Sequence, residues 1–299
     1  MRKILFSLLF TFFSLLNAAV GSKTIDLSIS SHSLGYSLLE YEDLTAKMTL
    51  AEIRDLSPEK FTPLDRTVAS HFFTDSAFWY QFKVENKENI PVSRLIVFEP
   101  AWLDSVNLSI VSPQKKIQTY KGGNLYTYSQ RAIDHYLVNF KHEFEPGIST
   151  VYVQVKTRDP FIVSLALMDE VSFLNEKVSV STYTALIYVG IAAMLFYNLF
   201  LFLGIRKRYY AYYVFYLSAF FLMNASYNGY TFMYIFSDYP AVQNWVQSIS
   251  IYLFLLTGLL FTNSFLNLEN FHHRLYYITR FVIFVIIVIA VLSAIIGGY

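Results

Sequence analysis

All but two of the 22 acidic residues lie before residue 181; only Asp238 and Glu269 follow it. Beyond that point the chain holds four uncharged stretches: Ser181 to Ile205, Tyr209 to Ser237, Tyr239 to Leu268 and Phe281 to Tyr299. Each approaches or exceeds the roughly 20 residues that cross a bilayer as a helix. In hydrocarbon every backbone polar group must find an internal partner, so such stretches have to be helical. The pattern predicts four transmembrane helices, at about 182–205, 210–236, 244–266 and 279–298, within a membrane region 181–299. The charged first part reads as soluble.

Composition agrees, with 55% of the 299 residues hydrophobic and 15% charged. A net charge of +1 supplies no basic surface for nucleic acid. With no cysteine, disulfides and thiolate metal sites are excluded. The N-terminus carries Arg2 and Lys3, an apolar run from Ile4 to Leu16, and then Ala18, Ala19 and Gly21. This is the pattern of a signal peptide over residues 1–21, with an uncleaved anchor as the other reading. On either reading the following domain is exported.

Residues 22–178 alternate apolar and polar side chains at period two. In "FWYQFKVE", Phe78, Tyr80, Phe82 and Val84 share one face, and Trp79, Gln81, Lys83 and Glu85 the other. "SRLIVFE", "SVNLSIV", "HYLVNF", "TVYVQVK" and "FIVSLALM" are further strands. Short strands between turn signals predict an all-β sandwich, best matched by a jelly roll. The connection "DEVSFLNEKVSVSTYT" holds neither Pro nor Gly. It reads as a stiff join whose Val171, Phe173 and Leu174 pack back on the sandwich.

Loop charge orients the spans. Arg206, Lys207 and Arg208 follow the first, and His272, His273, Arg274 and Arg280 follow the third, whereas the second loop carries Asp238. Basic loops mark the cytoplasmic side. The exported domain then lies outside, and four crossings return the chain to that side.

Three stretches, "FWYQFKVEN", "FEPAWLDSVNLSI" and "YSQRAIDHYLVNFKHEFEPGISTVYVQVKTRDPFIVSLALM", resemble the second type of extracellular region in the bacterial seven-transmembrane receptors with diverse intracellular signalling modules. "VGIAAMLFYNLFLFLGIRKRYYAYYVFYLSAFFLMNASYNGYTFMYIF" is similar to the first two spans of that family. The resemblance implies a jelly roll akin to carbohydrate-binding modules, seven helices, and a cytoplasmic output module such as a histidine kinase or diguanylate cyclase. It also implies a homodimer. Four predicted spans and no module lead us to expect the front part of a longer receptor; a genuine four-span protein is the alternative.

No catalytic set, cofactor motif or metal-ligand spacing emerges. Adjacent His272 and His273 point different ways on a helix and read as interface residues. For ligand binding the candidates are Trp79, Trp102, Arg131 and His135. Trp79 lies on the polar side of its strand, as a platform for a ring or as a residue under a covering segment. Trp102 sits in a loop after Pro100 and is equally ambiguous. Arg131 and His135 belong to "YSQRAIDHY", either at a ligand rim or pinning a loop, Arg131 through Asp134 or Asp104. Asn198, Asn224, Asn228 and Asn263 are expected to hydrogen-bond between helices. With no ionisable group inside the spans, an ion path lacks its usual parts. The expected function is a sensor: a small ligand, carbohydrate by resemblance, acts through the helices, with membrane lipid as the other partner. A display or transport component is the alternative.

Overall fold

The computed structural model describes residues 24–29 and 31–296 and divides the chain into two compact units. The signal segment lies outside the described residues. The first unit runs to Glu99 and takes in Asp104–Lys121 and Lys141–Asp169. The second comprises Pro100–Leu103, Gly122–Phe140 and everything from Glu170 onward.

The first unit is built from strands and one short helix. They are β1 (Ile25–Asp26), β2 (Ser31–Ser33), β3 (Leu39–Asp43), α1 (Leu50–Arg54), β4 (Thr62–Pro63), β5 (Ala69–Phe72), β6 (Ala77–Asn86), β7 (Val92–Glu99), β8 (Ser105–Val111), β9 (Ile117–Gly122), β10 (Val138–Phe144), β11 (Gly147–Lys156) and β12 (Phe161–Met168). They form two mostly antiparallel sheets. One has the order β4-β3-β6-β11-β8-β9, with β1 parallel on β6; the other is β10-β7-β12-β2, with β5 on β12. The sheet edges meet where the Tyr120 hydroxyl and His142 Nδ1 lie 3.0 Å apart.

Period-two patterning sets the core. Phe78, Tyr80, Phe82 and Val84 are all buried, as are Val151, Val153 and Val155 on the paired β11. Trp79 faces the opposite side of β6, and that side is covered too. Leu39, Ile53, Phe61 and Tyr152 pack with it, leaving it 4% exposed. Ile53 is held there by α1, a helix that the sequence reading did not contain. Its start is a capping box, in which Thr49 Oγ1 accepts from Glu52 N and Glu52 Oε2 accepts from Thr49 N at 2.7 Å. Trp79 therefore offers no ring face to a ligand, which corrects the platform reading.

The second unit contains α2 (Glu170–Ile205), α3 (Arg208–Tyr227), α4 (Tyr230–Tyr234), α5 (Pro240–Phe265), α6 (Leu268–Phe271) and α7 (His273–Ile296). By length and composition α2, α5 and α7 can cross a membrane. The predicted boundaries need correction. The expected stiff join is itself helical: α2 begins at Glu170 and runs unbroken for 36 residues. Its first turns lack Gly and Pro, so nothing stops the helix. Phe173 is buried within the helical unit, whereas Val171 and Leu174 are exposed. The predicted second helix, 210–236, breaks after Tyr227, where Gly229 takes a φ of 78°. That left-handed conformation ends the helix and suits a residue without Cβ. A Cβ at Gly229 would also sit 3.0 Å from Ala101 Cβ. Tyrosines and Arg208 give α3 a more polar character than its neighbours, although its 20 residues reach about 30 Å.

Aromatic rings join α3 to α5, with Tyr213 on Phe261 at 4.9 Å and Tyr216 on Phe254 at 5.1 Å. The four asparagines divide. Asn228 donates to Tyr188 Oη across helices at 3.0 Å, and Asn263 accepts from Thr279 of α7 at 2.5 Å. Asn198 and Asn224 donate to carbonyls of their own helices instead.

Candidate functional site

The connection from β9 to β10, together with Gly122 and the first residues of β10, folds with the helices. The connection is braced from inside. Asn139 is fully buried: its Nδ2 donates to the carbonyls of Ile133 and Leu137, both at 3.0 Å, and its Oδ1 accepts from Ile133 N at 2.7 Å. Gly122 leaves room for the Phe140 ring, which would lie 2.9 Å from an added Cβ.

Arg131 is the second brace. Its Nη1 donates to the carbonyls of His135 at 3.0 Å and Tyr136 at 2.7 Å. Its guanidinium lies over the Tyr128 ring at 4.5 Å and the Phe232 ring at 5.3 Å. Burial lowers its pKa to about 10, while Tyr128 and Asp134 oppose that fall. The expected carboxylate partners are engaged elsewhere: Asp134 accepts from the Tyr128 hydroxyl at 2.7 Å, and Asp104 from Arg158 N at 2.8 Å. Arg131 thus pins its loop through carbonyls, which the sequence could not reveal because backbone acceptors leave no mark in it.

Contacts with the helices run the length of the connection. Tyr128 N donates to Ser237 O at 3.0 Å, and the Tyr128 ring meets Phe232 edge-on. Tyr136 packs on Tyr230 at 5.1 Å, and His135 on Phe173 of α2 at 4.9 Å. The segment Pro100–Leu103 joins in, with Trp102 edge-on to Tyr227 at 5.9 Å and Leu103 O accepting from Asn124 N at 2.8 Å. Trp102, Arg131 and His135 are thus gathered into one unit, while Trp79 belongs to the other.

His135 is neutral at physiological pH. Burial, then the positive charges of Lys177 and Arg131, lower its pKa to about 4. Its Nδ1 accepts from Leu137 N at 3.2 Å, so the ring proton resides on Nε2, which is buried and has no hydrogen-bond partner. His135 and Tyr136 help line a cavity of about 590 Å³ with Tyr188 of α2, Phe221 of α3 and Tyr230 and Tyr234 of α4. That volume lies within the ~300–1,000 Å³ typical of small-molecule sites. Its walls carry aromatic faces and hydroxyls and no Asp, Glu, Lys or Arg. Beside it, Thr231 Oγ1 donates to Gln243 Oε1 at 2.8 Å and Gln243 Nε2 to Ser226 Oγ at 3.2 Å, tying α3, α4 and α5 together. Sequence reasoning missed Asn139 and this network; a polar residue within the apolar run "HYLVNF" was the available signal for the former.

Comparison with the curated proteins finds no match. Among solved structures, the chain is similar to the carbohydrate-binding module TmCBM61 in complex with beta-1,4-galactotriose, at 13% identity and a TM-score of 0.26, covering 46% of this chain and 90% of that one. Two family models match: 7TMR-DISM extracellular 2 over residues 36–169, and 7TM diverse intracellular signalling over residues 181–299. Both describe receptor domains and neither is catalytic. Since the two matches together take in the β-sheet domain and the membrane helices, the chain belongs to the family of seven-transmembrane receptors with diverse intracellular signalling modules.

Proposed function

We propose that the chain is the sensing and membrane portion of a receptor: the exported β domain, a jelly roll, binds a small ligand, and the helical bundle carries the change to a cytoplasmic output module. The observation that carries this reading is the β9–β10 connection, which leaves a sheet edge and is built into the helical unit by Arg131, Tyr128 and Tyr136. A shift of that loop moves groups packed on α2, α4 and the turn before α5. Ligand must favour one arrangement over another, because equal affinity shifts no population. Carbohydrate is the ligand class implied by family resemblance.

On this reading the β domain is periplasmic, α3 is a fourth crossing, and the connections after α2 and α5 face the cytoplasm of a bacterium. The receptor acts as a homodimer. The transport alternative gains nothing from the apolar stretches after residue 181, where the buried polar groups among the described residues are amides and hydroxyls.

The test uses the complete receptor in cells. A flexible Gly-Ser insertion after Lys177 interrupts the continuous α2, and Arg131→Met frees the connection. Both are expected to leave the protein in the membrane and abolish the response of output to stimulus. An unchanged response in both would sink the reading. Impermeant labelling of single cysteines at Lys207 and Asp238 in intact cells should modify only the second.

A further inference from the structure

We propose a binding site for the headgroup of an anionic membrane phospholipid at the end of the helical unit where α2 stops, α3 starts and α5 stops. Every Lys and Arg after residue 181 lies in the connection Arg206–Arg208 or in the first turns of α7, at Arg274 and Arg280. Arg206 takes a φ of 54° and donates its N–H to Phe202 O at 2.8 Å, which closes α2 and turns the chain sharply into α3. Arg206, Lys207 and Arg208 are all exposed, and among the described residues none is ion-paired. Three adjacent cations thus share one tight turn. The first turn of α3 has no side-chain cap, and its positive dipole end adds to the same field.

A cavity of about 630 Å³ adjoins this turn, lined by Asn198, Tyr209, Tyr210, Tyr213, Phe261 and Phe265. It combines two chemistries. Phenol hydroxyls and an amide can hydrogen-bond to glycerol and ester oxygens, and the ring faces can take the upper part of an acyl chain. A soluble phosphate would need the cations alone. The apolar wall, on a unit whose α2 and α5 are long enough to cross a membrane, selects a lipid. Charge selects its class. A choline or ethanolamine headgroup would bring an ammonium against three cations, and Glu269 is the sole carboxylate in the α6–α7 segment. Basic pockets between transmembrane helices are known to take anionic headgroups.

The test is lipid retention by the full chain in detergent, read by native mass spectrometry with phosphatidylglycerol and phosphatidylcholine. Three cations close to one phosphate predict a preference for phosphatidylglycerol on the order of 100-fold. R206Q/K207Q/R208Q should remove it. Because that variant also deletes an orientation signal, the charge-neutral pair Tyr209→Phe and Tyr213→Phe carries the test independently and should weaken retention several-fold. R274Q/R280Q should leave it unchanged. Equal retention of the two lipids by the native chain overturns the proposal. So does an equal loss in both arginine variants, which would mean diffuse attraction to an anionic surface. Displacement of the lipid by millimolar inorganic phosphate would assign the turn to a soluble anion instead.

Discussion

The helical unit carries more aromatic and aliphatic side chains than the β-sheet unit, and the two place them oppositely. Along β6 nearly every second residue is fully buried, whereas the apolar window of α7 has none buried and that of α5 only 11%. Phe82 is 0% exposed and Phe284 is 63% exposed. The difference shows which solvent each unit is written for. Water drives Phe82 inward by removing apolar surface. A lipid tail is as apolar as the side chain, so Phe284 has no comparable reason to hide. Helices in that setting are held by ring packing and polar contacts such as Thr231–Gln243.

The largest test of this contrast is a pair of truncations. Phe82→Ala should destabilise the β unit by about 3–5 kcal/mol. Phe284→Ala should leave thermal stability in detergent nearly unchanged. Comparable losses would erase the distinction between the two units.

A smaller effect is expected where the β9–β10 connection joins the helices. Arg131→Met strands the carbonyls of His135 and Tyr136, each costing ~1–3 kcal/mol when left unpaired. A loss of about 2–4 kcal/mol is expected in denaturant unfolding, larger than for Arg131→Lys. Equal losses would mean the planar guanidinium is unimportant.

The same junction should respond to acid. His135 has its folded pKa lowered to about 4 from 6.5, so the unfolded chain takes up the proton first. Its stabilising contribution is full above pH ~6.5 and is lost as pH falls from there toward 4. His135→Phe should flatten the melting temperature of the chain across that window. A profile as steep as the native one would place the acid sensitivity elsewhere.

The smallest expected effect concerns the cover over Trp79. Thr49→Ala breaks the capping box of α1 and should cost about 1 kcal/mol. Indole fluorescence should shift to the red as Ile53 loosens; an unchanged spectrum would show that Leu39, Phe61 and Tyr152 suffice to cover the ring.

Much of the architecture was legible because it rests on local repetition. Period-two runs give β6, β8, β11 and β12, and long uncharged runs give the helices, since each pattern reflects one side chain's relation to one solvent. Capping and turn residues were legible less often. The Thr49–Glu52 box is present in the sequence but short, and Gly229 looked like one more residue within a span.

The chain by itself therefore determined that a strand-rich domain precedes membrane-length helices, and which residue types could form a site. Tertiary structure alone decided which of them meet. Trp79 and Arg131 looked alike as candidates, yet one is roofed by a helix about 25 residues away in sequence and the other clamps two carbonyls close to it. The reason is physical. Burial of a given residue depends on what distant segment covers it, and a backbone carbonyl can accept from an arginine whatever side chain it carries. Neither fact has a sequence signature, and the cavity beside His135, assembled from a loop and three helices, has none either.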